Sequence, residues 1–203
     1  MEDFSATVTG RWPAGREDYC WHLLPGSGTL PARLVGQYQE LTHSPGLAPV
    51  SAEWMHVTVQ HLAPAAEVSG AELGRMIRLV QGRCGGIAPF PVTAGRAEAW
   101  DTSLVCPARP AYLLRFLRQV ITEISREVSI GRFSTSEAPY CPHLTLAYAF
   151  THVDNGQVRE WIADSEATEE TLHVTSLVLV AQQHDRHDIT WRAIDEVALT
   201  AAM

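Results

Sequence analysis

The spacing of apolar residues along the chain predicts four helices, each with a start signal. The strongest begins at Pro110, after which a leucine, isoleucine or valine recurs every three or four residues. A second follows Ser69 and Glu72, which have the spacing of a capping box. The other two are expected over residues 31–41 and after Asp154, whose side chain can cap a helix.

Apolar and alternating runs between these helices predict strands, and their order repeats. The strands are expected over residues 19–24, 54–62, 141–150, 172–182 and 189–199, and residues 90–105 are strand-like with turns at Gly95 and Asp101. The order strand, helix, strand, helix, strand therefore occurs twice, first within residues 19–94 and again within 96–182. A duplicated unit places equivalent strands in two lobes, and a ligand site commonly forms in the groove between such lobes.

The same pattern sets the expected domain boundaries. Residues 1–17 mix glycine, proline, arginine and acidic residues without a period, so they are expected to form a loose arm or an irregular edge strand. Residues 18–203 are expected to form a single bilobal domain. Its lobes would span about 18–95 and 96–203, and an exchange of strands between the lobes is compatible with the pattern.

One short motif occurs in equivalent strands of the two halves: His56-Val57-Thr58-Val59 and His143-Leu144-Thr145-Leu146. Side chains alternate along a strand, so the histidine and threonine of each copy project from one face, separated by about 6.6 Å. The residue between them faces the core. Two such strands on one cleft would present two imidazoles and two hydroxyls to a single phosphate.

The chain contains a third match, His173-Val174-Thr175-Ser176. Its fourth residue is serine instead of an apolar residue, and its strand lies outside the repeated position. We therefore assign the working pair to His56 and His143. For a lone strand histidine, a half-buried residue with ordinary hydrogen bonds is the more common outcome, but two matching copies in matching positions favour a functional pair.

With Trp54 to Val59 and Pro142 to Leu146, the chain resembles the 2H phosphoesterase superfamily, which includes the RNA 2′,3′-cyclic phosphodiesterases also called 2′-5′ RNA ligases. The likeness extends over about residues 18–200. It implies an α+β fold, bilobal and duplicated, with two antiparallel-rich sheets around a central groove and helices outside. It also implies that His56 and His143 act as acid and base, and that Thr58 and Thr145 bind the phosphate.

The implied reaction is hydrolysis of a 2′,3′-cyclic phosphate or a 2′-5′ linkage, on an RNA end or a small nucleotide. One imidazole would take a proton from water and the other would protonate the leaving oxygen, because histidine can do both near neutral pH. The threonine hydroxyls could stabilise charge on the phosphate oxygens. No metal or cofactor is required, and 2′-5′ ligation is the reverse of the same reaction.

Five further residues are candidates for binding substrate. Gln60 continues the groove-facing alternation after Thr58, whereas Tyr148, like His61, should point toward the core and is a weaker candidate. Trp21 and Phe133 could stack on a base, although such aromatics are more often core residues. Arg132 precedes the second motif and could approach a phosphate, although a solvated surface position is more common. The stretch His184 to Asp188 is expected to be a polar turn.

Composition narrows the classes of partner. The net charge of −8 argues against a broad, non-specific grip on a nucleic-acid backbone, but a small nucleotide or one RNA end remains compatible. No apolar run approaches the roughly 18 residues of a membrane span, and the first residues lack the order of a secretory signal. The four cysteines are scattered, which favours a reducing cytoplasm. No feature indicates a protein partner, and a monomer is expected.

Two other functions use the same residues. A non-catalytic module could bind a nucleotide or RNA end in the groove without turning it over. A metallohydrolase could be built on His56, His61 and His143, but alternation places His56 and His61 on opposite strand faces, which is poor ligand geometry.

Overall fold

The computed structural model describes residues 1–8, 12–25, 30–133, 139–185 and 188–200. Its α-helices are α1 (Phe4–Val8), α2 (Leu30–Gln37), α3 (Gln39–Thr42), α4 (Gly70–Cys84), α5 (Ala111–Ser129) and α6 (Asn155–Asp164). Its strands are β1 (Glu17–Leu23), β2 (Leu47–Pro49), β3 (Val57–Pro64), β4 (Phe90–Ala94), β5 (Glu98–Ala99), β6 (Ser103–Arg109), β7 (His143–Ala149), β8 (Glu170–Val174), β9 (Ser176–Asp185) and β10 (Asp188–Ala198).

The strands form an antiparallel sheet in the order β10-β9-β1-β3-β7-β6-β4-β8, with β2 beside β7 and β5 beside β6. In this order of eight strands, four lie on each side of the contact between β3 and β7, where Val57 pairs with Leu144. The sheet is curled and carries helices, so the predicted α+β fold around a central groove is confirmed.

The strands do not follow the chain order that a division near residue 95 would give. The strand β4 pairs with β6 and β8, while β9 lies between β1 and β10. The prediction of one strand over residues 172–182 is wrong, because Thr175 separates β8 from β9 and these two strands lie in different halves of the sheet. The Thr175 carbonyl accepts a hydrogen bond of 2.8 Å from the Leu199 amide at this crossing.

The two long helices form as their sequences predict. In α4, Ser69 accepts a hydrogen bond from the Glu72 amide while the Glu72 carboxylate accepts one from the Ser69 amide, which completes the capping box. Such a cap contributes about 1 kcal/mol. The apolar face of α5 is buried over its whole length, and this helix packs against β3. Within the described part of the chain, none of the helices combines the length and apolarity that crossing a bilayer requires.

The helix predicted over residues 31–41 is divided in two at Tyr38. The Tyr38 backbone leaves the helical region, with φ −114° and ψ 13°. Its buried side chain reaches the start of β5, where the hydroxyl accepts a hydrogen bond of 2.9 Å from the Ala97 amide. The apolar residues keep their helical spacing through Tyr38. The sequence therefore does not indicate the break in the helix that accompanies this tertiary contact.

The described residues of the N-terminal segment, 1–8 and 12–17, contact the sheet. They include α1, and their aromatic side chains pack against the sheet: the Phe4 ring stacks on Tyr148 at 4.2 Å and the Trp12 ring stacks on His184 at 3.9 Å. These two contacts involve strands from both halves of the sheet, β7 and β9. Burial of aromatic surface therefore accounts for these contacts of a segment with no periodicity of its own.

Candidate active site

The two His-x-Thr motifs lie side by side because β3 and β7 meet at their centres. The pairing of Val57 with Leu144 is antiparallel, so His56 and Thr58 on one strand are matched by Thr145 and His143 on the other. Val57 and Leu144 are buried in the core, as the alternation predicts. The four polar side chains are thereby directed to the opposite face of the sheet.

The two imidazoles are held in the same way. The Nδ1 atom of His56 is 2.7 Å from the Trp54 carbonyl, and that of His143 is 2.8 Å from the Cys141 carbonyl. A carbonyl only accepts, so each Nδ1 carries the hydrogen and donates. Each Nε2 then has a free lone pair. Both rings are thus oriented by the residue two positions earlier, and both are ready to accept a proton.

Burial keeps both rings neutral. Burial lowers the pKa of His56 to about 4, with the Trp54 carbonyl opposing the shift and His143 adding to it. Burial also lowers the pKa of His143, against the effect of the Cys141 carbonyl. The interaction between the rings places them in one electrostatic environment. A bound phosphate would reverse this balance, because a nearby negative charge favours the protonated imidazole.

The two threonines have different surroundings. Thr58 is half-buried, and its backbone carbonyl accepts a hydrogen bond of 2.9 Å from the Tyr140 hydroxyl. Thr145 is buried and hydrogen-bonds Tyr148. Burial, opposed by this hydrogen bond, raises the pKa of Tyr148 to about 12. Tyr148 therefore contacts the second motif, while its ring is covered by Phe4.

A cavity of about 360 Å³ opens beside His143. Two half-buried aromatic side chains, Trp100 and Tyr140, line it, and the Trp100 ring lies 4.6 Å from the His143 ring. Flat aromatic walls next to a proton-transfer group are suited to a nucleoside. Sequence reasoning missed both residues, because Trp100 falls at a turn and Tyr140 in a loop with no periodicity.

Arg118 of α5 supplies a cation to this cavity. Its guanidinium lies over the Tyr140 ring at 4.7 Å, and its Nε donates a hydrogen bond of 3.1 Å to Gln60. Neither motif is followed closely by a basic residue, and the fold instead brings one from a helix that lies between the motifs in the chain. Only knowledge of how α5 packs on β3 could have identified it.

Gln60 and His61 depart from simple alternation. The pairing of β3 with β1 shifts register twice, so two irregularities interrupt the strand. Gln60 is buried and lines the cavity. It also contacts α5, because its side-chain oxygen Oε1 accepts hydrogen bonds from Arg118 and Thr122. The prediction that His61 points to the core is wrong: its side chain is partly exposed and lies 2.6 Å from Asp18.

Three candidate substrate contacts lie away from the motifs. Trp21 is completely buried in the core and cannot stack on a base, and Phe133 is also a core residue. Both stacking predictions are wrong, because local sequence does not tell which side of a strand or loop faces the groove. Arg132 is more than half exposed and forms an ion pair with Glu72 at the start of α4, which is the surface position that is more common for such an arginine.

Two other histidines from the sequence analysis, His173 and His184, lie on strands. His173, from the third match, is exposed on β8, where it pairs with Pro91 near the edge of the sheet. His184 belongs to β9 and stacks on Trp12 instead of forming a turn, and His187 lies outside the described residues. Within the described ranges no three His, Cys, Asp or Glu side chains are arranged to hold a metal ion, which removes the structural basis for a site of His56, His61 and His143.

One further histidine contacts the first motif, and no pattern in the sequence predicts this contact. His22 of β1 is fully buried, and its ring stacks on His56 with centroids 4.0 Å apart and an angle of 9° between the planes. It pairs across the sheet with Thr58. Only the register between β1 and β3 brings it to the site.

Residues 30–186 match the 2′-5′ RNA ligase superfamily. The chain belongs to this superfamily, the 2H phosphoesterases. The matched range contains both His-x-Thr motifs, and the resemblance inferred from them is confirmed. No curated protein sequence matches the chain.

Several solved structures have the same fold. E. coli LigT complexed with 3′-AMP is 18% identical, with a TM-score of 0.70 over 91% of this chain and 99% of that one. A protein from Thermus thermophilus is 16% identical, with a TM-score of 0.70 over 92% of this chain and 100% of that one. A structure described as a phosphoesterase is 20% identical, with a TM-score of 0.68 over 91% and 99%. At these identities the likeness shows the fold alone.

Proposed function

We propose that this 2H phosphoesterase is a metal-independent phosphodiesterase that hydrolyses 2′,3′-cyclic phosphates or 2′-5′ linkages on RNA ends or small nucleotides. The observation that carries the proposal is the matched pair of imidazoles. His56 and His143 flank the same backbone pairing, and each donates through Nδ1 to a carbonyl two residues earlier. Two bases fixed in one tautomer on one face are what a reaction with two proton transfers needs.

In the proposed reaction, the Nε2 lone pair of one ring takes a proton from water as the water oxygen attacks phosphorus. The other ring, protonated when the anionic substrate binds, gives its proton to the leaving ribose oxygen as the P–O bond breaks. The proton count balances, and the two rings have exchanged states. Thr58 and Thr145 donate hydrogen bonds to the non-bridging oxygens, where negative charge accumulates. The residues as placed can supply every proton the reaction moves.

The cavity beside His143 supports a nucleotide as the ligand. Trp100 and Tyr140 offer flat faces for a base, and Arg118 offers a positive charge for a phosphate. Structures of E. coli LigT, which shares the fold, were determined with 3′-AMP, with ATP and with NADP⁺. This likeness supports a nucleotide as the ligand of this chain.

The test is hydrolysis of a 2′,3′-cyclic nucleotide in the presence of a chelator. We expect His56→Ala and His143→Ala each to reduce kcat by about 10²–10⁴-fold, the range of general acid–base catalysis. His173→Ala is the matched control, because His173 lies in the third His-x-Thr match but is exposed on β8. Wild-type turnover by both motif variants would contradict the proposal.

A second experiment distinguishes catalysis from binding alone. If the wild-type chain binds a 2′,3′-cyclic nucleotide but forms no product from it across a scan from mildly acidic to mildly basic pH, the groove is a non-catalytic binding site. Adding an RNA fragment with a free 5′-hydroxyl tests the reverse reaction. Because the same residues serve both directions, both motif variants should lose ligation in proportion to hydrolysis.

A further inference from the structure

His22 is a buried histidine with an unusual environment. It is fully buried in β1, and neither ring nitrogen has a hydrogen bond of normal geometry among the described residues, although Gln182 lies near enough to favour its charged form. Buried polar groups are nearly always hydrogen-bonded, so an exception needs a reason. The ring instead packs against the face of His56.

The contact with His56 is a parallel stack. The ring centroids are 4.0 Å apart and the planes differ by 9°. His22 also lies near Trp191 of β10, with ring centroids 6.4 Å apart and nearly perpendicular planes. Trp191 in turn is nearly perpendicular to Trp54, at 5.5 Å between centroids. The two histidines are therefore part of a packed group of rings that ends at the residue whose carbonyl binds His56.

We propose that His22 is a positioning residue that fixes the plane of the His56 imidazole. The inference rests on the proposed function, in which His56 transfers a proton through Nε2. The hydrogen bond to the Trp54 carbonyl defines where Nδ1 lies, but it allows the ring to tilt about that bond. The stack on His22 removes this freedom, so Nε2 of His56 keeps one direction.

The neutral state of His22 suits this position. Burial, with His56 adding to it, lowers the pKa of His22 well below its usual value. The other titratable groups with an electrostatic effect here are His61 of β3 on His22, and His143 of β7 and His184 of β9, which interact with His56. Asp18 of β1 is paired with Arg16 and His61. His22 is therefore uncharged at neutral pH.

Two substitutions of His22 distinguish the effect of its flat ring from the effect of its ring nitrogens. His22→Phe keeps a planar ring on His56 and removes both nitrogens, whereas His22→Ala removes the support. We expect kcat of His22→Ala to fall by about tenfold or more with little change in KM, and kcat of His22→Phe to stay within about threefold of wild type. Added imidazole should partly restore kcat of His22→Ala by filling the space.

A measurement independent of activity follows from the same geometry. In His22→Ala, water enters beside His56, so the pKa of His56 should rise from about 4 toward the ordinary value near 6.5. The acidic limb of the kcat/KM profile should move up with it. An NMR titration of the His56 ring proton reports this pKa whether or not the chain turns over the assayed substrate, so the inference can be tested even if the proposed function fails.

The inference is overturned if His22→Ala keeps wild-type kcat and the wild-type pKa of His56. It is also overturned if a folded His22→Phe loses as much activity as His22→Ala, because the nitrogens and not the stack would then matter. Folding is checked by circular dichroism. Should His22→Ala be unfolded, His22→Leu takes its place, since leucine fills the space without presenting a flat face.

Discussion

Val57 pairs with Leu144, and this backbone pairing joins the two halves of the sheet at the centre of both His-x-Thr motifs. Both side chains are buried in the main core. The same contact thus contributes to the core on one face of the sheet and sets the relative position of His56 and His143 on the other. Stability and the geometry of the site are linked through these two residues.

Truncating the side chain of Leu144 should lower the stability of the fold. Leu144→Ala removes a completely buried side chain, so we expect the free energy of unfolding to fall by about 2–5 kcal/mol. Leu144→Met, which conserves volume, should cost less than about 1.5 kcal/mol. Urea unfolding at neutral pH measures the free energy of unfolding of both variants. Equal losses for the two variants would contradict a role based on packing.

The threonine hydroxyls can be tested by replacement with valine, which has the same shape. We expect Thr58→Val to lower kcat by about 100-fold, as the loss of one hydrogen-bond donor to a charged transition state does. Thr145→Val also leaves Tyr148 without its partner, so it should cost stability as well. The measurement is kcat with a 2′,3′-cyclic nucleotide alongside thermal unfolding. Unchanged kcat in both variants would rule out a phosphate contact.

Arg118 should act mainly on binding. Removing its charge in Arg118→Gln is expected to raise KM about tenfold, which corresponds to ~1.4 kcal/mol, with a smaller effect on kcat. Arg115→Gln on the same helix is the control, because Arg115 is exposed. If the two variants have the same KM, Arg118 does not contact the substrate.

Stability should decrease in mild acid. The folded pKa of His56 is about 4, below the ordinary value near 6.5, so protonation favours the unfolded chain. This contribution is fully present above about pH 6.5 and is lost as pH falls toward about 4. For His56 alone the loss at about pH 5 is about 2 kcal/mol relative to about pH 7.5. Burial likewise lowers the pKa of His22, His143 and His184, which adds to the effect.

Urea unfolding of wild type and His56→Gln at about pH 7.5 and about pH 5 checks this sign. Glutamine does not titrate in this range, so the variant should lose about 2 kcal/mol less than wild type between the two pH values. An identical pH dependence of the two proteins would show that His56 does not titrate with a lowered pKa.

The end of α5 offers a stabilising substitution. Ile130 has a left-handed backbone, with φ 52° and ψ 42°, and its side chain is 92% exposed. A β-branched residue is strained there, whereas glycine adopts this conformation readily. We expect Ile130→Gly to raise the free energy of unfolding by about 1 kcal/mol. Gly131→Ala should do the opposite, because Gly131 has φ 79°. Thermal unfolding of both variants measures these changes in stability.

Local patterns in the sequence predicted the elements that local physics determines. The capping box of Ser69 and Glu72, the amphipathic face of α5 and the cap at Asp154 all depend on residues within a few positions of each other. The pair of motifs was also found, because a repeat can be recognised without knowing the fold. These features needed no knowledge of which strands lie together.

The rest depended on contacts between distant residues. Arg118 and His22 reach the motifs only through the packing of α5 on β3 and the register of β1 with β3. The two register shifts also reverse the side on which His61 lies, which simple alternation cannot anticipate. Trp21 shows the opposite error, since its sequence neighbourhood does not reveal that it faces the core.

The return of β9 and β10 to the side of β1 has a consequence for synthesis. Until those strands leave the ribosome, β1 has one unpaired edge, which is open to association with other chains. The residues around His56 therefore become fully packed only after β9 and β10 have been synthesised. Such long-range closure slows folding, and a chain stalled before Ser176 would need a chaperone to keep that edge from aggregating.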